Sequence, residues 1–519
     1  MAARHGTRLV FWLAWAAFTL IASGWAIGLP VNGSYDEKEH IVRAYAVATG
    51  QLTSSRTVPD RRGDPALGFT APASLLPTGR TVDCTWSPRP PKTADCQRFD
   101  ASAGTVVLPS AAARYSPVYY LPVGLPLVLL PDRTGVLLAR EVSALLCALL
   151  LAAAAALAVR VGSRLLILGL ALAATPITVN RAGAVNPNGL EICAGILTGT
   201  ALLGLARAPD GRLDPATVRR LLAGAAVGSF LLLTVRQLGP VLLGMIVVGC
   251  ALAAAPGRVR SLARRRAVVT VLGGVWLVGS AAAVGWLFAS RITDIRTGTR
   301  DARALSATAT LGHIATDRVP FYVDQFVGLF GYGEVDTPRF ARPLWYLLVL
   351  VVVAAGAALG GRRVLLPQVW LLATGLLFLG GLDFWFISRV GWFAQGRYAL
   401  PALAGVVLVP AAALDGLLDR VRALRWAVPA AGGLLAVLHG YVLARVITRF
   451  ARGVDAPLDP FGGRWHPPLG AWPPLLAVVA GGALLVALLA TVVRRSTAVP
   501  AEHPPAGIGR PAPDAVVTG

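Results

Sequence analysis

The segment Ser34-Tyr35-Asp36-Glu37-Lys38-Glu39-His40 sets three carboxylates and an imidazole almost side by side. Such groups accept a proton from a hydroxyl, and as oxygen and imidazole donors they also suit a divalent cation. Elsewhere acids are scarce: Asp+Glu number 26 against 48 Lys+Arg in 519 residues. Ser34 and Glu37 have the S-x-x-E spacing of a capping box, which predicts a helix starting there. On that helix Asp36, His40 and Arg43 share one face at i, i+4 and i+7. Asp36 reads as a general base or as a helix-start carboxylate favoured by the dipole. Glu37 reads as a capping residue or a substrate ligand. Glu39 and His40 either complete a metal site with Asp36 or belong to a solvated helix face. Arg43 either pairs with Asp36 or Glu39, or turns its guanidinium to a phosphate.

Other candidates are dispersed. Arg236 and Arg397 are isolated beside apolar runs; a guanidinium there clamps a phosphate bidentately or snorkels to the interface. Asn186, Asn188 and Glu191 suit sugar hydroxyls, while Asn-Pro-Asn-Gly is equally a turn and helix start. Tyr119, Tyr120 and Tyr398 read as interface-belt aromatics or as sugar platforms. Cys84 and Cys96 share a long polar loop and suit a disulfide if that loop is extracytoplasmic. A zinc site there lacks a second ligand pair.

These residues need elements to hold them. Hydrophobic residues make up 55% and charged residues 14% of the chain, with a mean hydropathy of +0.64. Soluble domains keep roughly a quarter of residues charged, so the composition dictates an integral membrane protein. Net charge is +22, but the arginines fall in short clusters between apolar runs, not on one basic face, which argues against nucleic-acid binding. Apolar runs lie near 9–29, 136–159, 165–181, 188–206, 220–235, 237–255, 267–289, 343–360, 364–386, 398–415, 427–448 and 472–493. They predict an all-α polytopic protein of about twelve transmembrane helices. Residues 117–131 form a half-length piece suited to an interfacial or re-entrant position. The run after Arg4 and Arg8 ends without an A-x-A site and reads as an uncleaved anchor.

Arginine clusters such as Arg258, Arg260, Arg264, Arg265 and Arg266 alternate with connections holding only Arg236, Arg389 and Arg397. By the positive-inside rule both termini are cytoplasmic, and the long loops 30–135 and 290–342 are outside. The membrane domain then covers 1–495, with a Pro/Ala/Gly-rich tail over 496–519 that reads as disordered. With this topology Asp36, Glu37, Glu39, His40, Arg140, Glu141, Arg181, Asn186, Asn188, Glu191, Arg236, Asp383, Arg389, Arg397 and Arg445 gather at the outer membrane–water boundary. An ion-coupled transporter places such groups near the midplane, and no internal repeat is visible. Chemistry on a lipid headgroup needs them at the interface.

Six segments, in order, resemble the bacterial membrane-protein family known as domain-of-unknown-function 2142. They are Tyr35–His40 with Arg43-Ala44, Ser116–Tyr120, Asn186–Glu191, Arg236–Pro240, Gly328–Tyr332 with Asp336-Thr337-Pro338, and Gln395–Pro401. The resemblance spans roughly residues 10–450. That family is similar in layout to the GT-C type of multi-spanning glycosyltransferase, which uses polyprenyl-phosphate sugars and carries an Asp, often Asp-Glu, just after the first span. The resemblance implies Asp36 as catalytic base with Glu37 beside it.

Transfer from such a donor needs a base for the acceptor hydroxyl and cations for the departing phosphate. The expectation is an inverting glycosyltransferase in the cell membrane, with its site on the outer face. Its partners are a polyprenyl-phosphate-linked sugar, a glycan or lipid-linked acceptor and membrane lipids; a divalent metal is the one cofactor the acids suggest. Arg236, Arg397 and Arg43 are candidates for the donor phosphate, and His40, Asn186, Asn188, Glu191 and Tyr398 for the substrate. A lipid-linked glycan flippase or transporter, and a non-catalytic envelope-assembly scaffold, remain as alternative classes.

Overall fold

The computed structural model describes residues 2–60, 63–86, 91–99, 104–208, 213–291, 301–337 and 339–494. The tail expected over 496–519 lies outside them. Helix α1 (Ala2–Gly28) leads into the short α2 (Glu37–Ala48). A three-stranded antiparallel sheet follows, β1 (Thr57–Pro59), β2 (Pro65–Pro72) and β3 (Thr105–Pro109), in spatial order β1-β2-β3 with Phe69 opposite Leu108. Cys84 and Cys96, between β2 and β3, are disulfide-bonded. Next come α3 (Pro117–Leu129), α4 (Arg133–Arg160), the half-helices α5 (Leu166–Ala173) and α6 (Pro176–Ala182), α7 (Pro187–Arg207), α8 (Pro215–Val235), α9 (Gly239–Leu252), α10 (Arg258–Arg264) and α11 (Arg266–Ala289). The second long connection is folded rather than merely polar. It holds α12 (Ala307–His313), α13 (Val319–Val327) and a hairpin of β4 (Leu329–Phe330) with β5 (Val335–Asp336). The chain continues through α14 (Ala341–Gly360), α15 (Arg362–Val390), α16 (Leu400–Leu403), α17 (Gly405–Ala413), α18 (Leu417–Arg420), α19 (Leu424–Arg452) and α20 (Trp472–Arg494).

Among the described residues nine helices are long and apolar enough to cross a membrane: α1, α4, α7, α8, α11, α14, α15, α19 and α20. The protein is therefore an all-α multi-pass membrane protein, but three of the twelve expected runs are short or broken. Run 165–181 divides into α5 and α6, because Pro176 has no amide hydrogen to continue α5 and Thr175 caps α6. Run 237–255 yields only the 14-residue α9, which opens on Gly239-Pro240. Run 398–415 is two pieces, α16 and α17, each containing a proline (Pro401 and Pro410). Hydropathy alone does not see these interruptions.

α7 is the central helix: 94% of its apolar window is buried, against 17% in α11 and in α14, whose open faces suit lipid. Around it α1 packs on α20 and α4, α19 on α20, and α7 on α8. α2 lies against α3 so closely that a Cβ on Gly124 would fall 2.1 Å from the Ala44 carbonyl oxygen, so this crossing requires glycine. Helix starts near the site are fixed by local caps. Ser116, Asn186 and Asp132 accept amide hydrogens at the heads of α3, α7 and α4, and the first two are followed by proline at the first helical position. The end of α1 and the starts of α2, α4, α7 and α9 thereby meet at one end of the bundle.

Candidate active site

The turn between α1 and α2 does not form the capping box that Ser34 and Glu37 predict. α2 starts two residues later than that box requires, at Glu37, and Asp36 is its N-cap in the left-handed region at φ 64°. Asp is among the few non-glycine residues that visit this region readily. Ser34 Oγ instead donates to Asn180 Oδ1 (3.1 Å) and accepts from Arg181 Nη1 (2.8 Å). The Asp36 amide donates to the hydroxyl of Tyr332 (3.3 Å), which donates to Asn32 Oδ1 (3.2 Å). The Tyr332 ring stacks on Trp86 at 3.9 Å between centroids and packs at a 36° tilt against Tyr35 at 4.4 Å. A hairpin from the second connection thus wedges the Asp36 turn against the disulfide loop. Arg449 secures the wedge from α19, pairing with Glu334 at 3.0 Å and donating to the carbonyls of Thr85 and Lys92.

Of the face expected to join Asp36, His40 and Arg43, the first two stay together and Arg43 departs. Asp36 borders a small polar pocket together with His40, Tyr115, Asn186, Asn188, Arg236, Arg397 and Tyr398. Its side chain keeps 37% exposure on the pocket side, and Arg397 Nη2 donates to Oδ2 at 3.4 Å. Burial raises the Asp36 carboxyl above its ordinary range, and the cations Arg397, Arg181, Lys38 and Arg236 oppose that rise. His40 binds the Tyr120 hydroxyl through Nδ1 (2.7 Å). Burial, reinforced by Arg236, Arg397 and Arg181, holds its pKa well below the usual value, so the ring is neutral at physiological pH.

Glu37 does not line the pocket. It is fully buried and accepts two hydrogen bonds from Arg140, from Nε at 2.7 Å and Nη2 at 2.6 Å, and one from the Val185 amide (3.2 Å). Arg140 also donates to the carbonyls of Ala26, Leu29 and Pro30, clamping the end of α1. Glu39 turns the other way, accepting from the Ala111 amide at 2.7 Å, and burial pushes its carboxyl up to about 7. Asp36, Glu39 and His40 therefore do not converge as metal ligands, and among the described residues no group of three His, Cys, Asp or Glu is placed to hold a metal. Arg43, expected to pair with an acid or to reach a phosphate, does not line the pocket. It is fully buried, donates to the carbonyls of Tyr115 and Leu52, and packs over Phe69, Tyr120 and Trp286. It fastens the end of α2 to its neighbours.

Arg236 and Arg397 do reach the pocket. Arg236 Nη1 donates to Glu191 (2.7 Å), which also accepts from Asn188 Nδ2 (3.0 Å), and its guanidinium lies 4.5 Å from the Tyr398 ring. Glu191 is therefore a buried counter-ion, with the pocket residue Asn188 beside it. Arg397 Nη1 donates to Gln395 (3.1 Å), and its guanidinium sits over Tyr35 at 4.9 Å and Tyr398 at 5.3 Å. Arg397 Nε, Asn188 Oδ1 and Glu191 Oε1 are buried without a hydrogen-bond partner, polar capacity that a ligand can satisfy. The Arg397 loop is pinned from α13 and α15. Gln325 bonds both Gln395 and the Gly396 amide, and a Cβ on Gly396 would meet Tyr322 O at 2.3 Å. Asp383 accepts from the Phe393 and Ala394 amides, each at 2.7 Å.

Tyr119 and Tyr120 are interior supports rather than belt aromatics: Tyr119 receives the Asn186 amide (2.8 Å) and Tyr120 holds His40. Sequence reasoning missed Tyr115, and it gave no site role to Tyr332, the end of one motif, or to Arg181, one of the polar groups at the outer boundary. Tyr115 adjoins the Ser116-Pro117 helix start, a signal that reveals a boundary and not a site. Arg181 is fully buried under the Asp36 turn, with Nη1 on Ser34 Oγ and the Tyr35 carbonyl (2.9 Å).

The family model described as "Predicted membrane protein (DUF2142)" matches residues 18–406. Comparison with curated proteins gives no match. Among solved structures, the chain is similar to the crystal structure of ArnT from Cupriavidus metallidurans bound to undecaprenyl phosphate. Identity is 15% and the TM-score 0.43, over 94% of this chain and 77% of that one. The apo crystal structure of the same protein gives 15%, a TM-score of 0.40, and 91% and 74%.

Proposed function

The chain belongs to the DUF2142 family of membrane proteins, and from that premise we propose that it is a membrane glycosyltransferase that moves a sugar from a polyprenyl-phosphate donor to an extracytoplasmic acceptor. One observation carries this reading. Of the acids in the 34–40 segment, Asp36 is the one that faces the polar pocket, and it shares that pocket with Arg236 and Arg397. A base beside two guanidiniums is what transfer from a phosphate leaving group requires.

In the proposed reaction the Asp36 carboxylate takes the proton of the acceptor hydroxyl. The acceptor oxygen attacks the anomeric carbon from the side opposite the phosphate. The bond from that carbon to the phosphate oxygen breaks, its electron pair leaves with the lipid phosphate, and configuration inverts. The donor is a phosphodiester monoanion and the product a lipid phosphate that gains negative charge. Asp36 loses its own charge in the same event. Its 3.4 Å contact releases Arg397, which then faces the phosphate, while Arg236 stays oriented by Glu191. Neutral His40 hydrogen-bonds a sugar hydroxyl, and Asn186, Asn188, Tyr115 and Tyr398 shape the rest of the pocket. The arginine distribution supports an outward-facing site and cytoplasmic termini.

The test is envelope glycan composition in a strain lacking the gene, complemented with wild type, Asp36→Asn or Arg397→Ala. Wild type restores the missing sugar, and normally inserted Asp36→Asn does not, since a positioned base contributes roughly 10²–10⁴-fold. Full restoration by Asp36→Asn removes the glycosyltransferase reading and leaves transport or scaffolding.

A further inference from the structure

Asn188 occupies the second position of α7, behind the Asn186 cap and Pro187. Its backbone amide donates to Asn186 Oδ1 (3.0 Å), and the Asn186 amide donates in turn to the Tyr119 hydroxyl (2.8 Å). The next residue, Gly189, is pressed so close to α6 that a Cβ would fall 2.6 Å from the Arg181 carbonyl oxygen. Asn188 is therefore held on the rigid end of a helix, 2% exposed, at the wall of the polar pocket.

Chemistry fixes the orientation of its side-chain amide. Nδ2 donates to Glu191 Oε2 (3.0 Å), and a flipped amide would set Oδ1 against that carboxylate, acceptor to acceptor. Oδ1 is the atom left over, buried and without a hydrogen-bond partner among the described residues. It can only accept. His40, on the same pocket, is its complement. The Tyr120 hydroxyl is fully buried, and His40 Nδ1, at 2.7 Å, is the one hydrogen-bond partner it has among the described residues. An unpaired hydroxyl hydrogen is costly in the interior, so Tyr120 donates to Nδ1. The neutral ring then carries its own hydrogen on Nε2, which can only donate.

We propose that Asn188 is the specificity-determining residue for the donor sugar, accepting a hydrogen bond from one sugar hydroxyl through Oδ1, and that this sugar is uncharged. This rests on the glycosyltransferase reading, which puts the sugar of a lipid-phosphate donor beside Arg397 and Arg236. A hydroxyl both gives and accepts hydrogen bonds, and the pocket wall offers a fixed acceptor in Asn188 and a fixed donor in His40. A carboxylate in its place brings no hydrogen for Asn188 Oδ1. It also meets guanidiniums already committed to Asp36, to Glu191 and to the donor phosphate. An ammonium meets the same three cations, Arg236, Arg397 and Arg181, that oppose a charge on His40. A neutral hydroxyl escapes both penalties.

The test uses the purified full-length protein in detergent. It measures binding of farnesyl phosphate and of farnesyl phosphates carrying glucose, galactose, mannose, glucuronate or glucosamine. The tightest-binding neutral donor is then compared with its single-deoxy analogues on wild type, Asn188→Ala, Asn188→Leu and Arg397→Ala. The expected result is a neutral donor that binds more tightly than farnesyl phosphate. Loss of one particular hydroxyl weakens its binding to wild type by at least about tenfold, because buried Oδ1 then has no donor. On Asn188→Ala that deoxy donor and its parent bind alike; Leu keeps the bulk of the amide and supplies the reading if Ala does not insert. A merely structural Asn188 weakens both donors together. A parent-to-deoxy ratio that is the same in wild type and both variants therefore overturns the assignment while leaving the glycosyltransferase reading in place. Neutral donors that bind no tighter than farnesyl phosphate overturn it too, with the phosphate site standing. The glucuronate or glucosamine donor binding tightest overturns the uncharged sugar. No binding of any compound, with Arg397→Ala indistinguishable from wild type, overturns the glycosyltransferase reading and this assignment with it.

Discussion

Replacing Glu37 by Ala separates a structural from a catalytic role for the residue next to the proposed base. In the folded protein Glu37 is fully buried and meets Arg140, which is only 3% exposed, through two hydrogen bonds of 2.7 and 2.6 Å. Removing the carboxylate strands the Arg140 guanidinium, which keeps the carbonyls of Ala26, Leu29 and Pro30 but loses its counter-ion, and it leaves the Val185 amide without its acceptor. A hydrogen bond to a charged group is worth about 1.5–3 kcal/mol, and breaking a buried pair from one side costs about 3–5 kcal/mol. The retained carbonyls hold the expected loss near the lower end of that range, about 3 kcal/mol. That is a large share of the roughly 5–15 kcal/mol by which folded proteins are stable. Thermal unfolding of purified Glu37→Ala in detergent should show a fall of several degrees, with reduced membrane yield. Arg140→Ala should show a comparable fall, and the double variant less than the sum, because either single change already breaks the pair. A Glu37→Ala protein with wild-type unfolding temperature and yield, but no transferase output, would refute this reasoning and return Glu37 to the reacting groups.

Arg43→Met keeps the length of a side chain that packs over Phe69, Tyr120 and Trp286 and removes its bonds to the Tyr115 and Leu52 carbonyls. It should lower stability by about 1–3 kcal/mol without a change in lipid-phosphate affinity; an affinity loss at normal stability would restore Arg43 to the phosphate site. Glu39 has a folded-state pKa of about 7 against an ordinary 4.5, so the folded protein holds the proton more tightly than the unfolded chain. Its contribution to stability is full below pH 4.5 and is lost as the pH rises through 7. Unfolding temperatures measured from pH 4.5 to 8 should fall more steeply for wild type than for Glu39→Gln, and parallel curves would contradict the assignment.

The membrane class and the main apolar runs are legible in the chain because hydropathy depends only on local composition. The proline interruptions that make α5, α6, α9, α16 and α17 short require knowing which amide each proline removes from which helix. In the site, the chemistry of Arg236 and Arg397 shows in their isolation among apolar residues. The partners of the buried acids do not show. Glu37 finds Arg140 from 103 positions away, and Glu191 finds Arg236 from 45. Both pairs cross between helices, which no local spacing encodes. The spacing argument for Asp36, His40 and Arg43 brings the first two to one pocket, although Asp36 is a left-handed N-cap, and fails at Arg43, whose carbonyl partners lie on other segments. The contact of Tyr332 with the Asp36 turn is hidden for a similar reason: the tyrosine lies 296 positions from the amide it receives.

The wedge that Tyr332 drives beside Asp36 bears on how the protein is made. Asp36 leaves the ribosome early, while the hairpin carrying Tyr332 follows far later and Arg449, which braces that hairpin and the disulfide loop, later still. α1, which leads into the turn, packs on α20, the final helix described. A chain caught partway through synthesis already displays Asp36, yet lacks the parts that set its direction. The Asp36 turn reaches its final form only once the chain has been inserted through α20, so fragments and stalled chains that end earlier carry the acid without its supports.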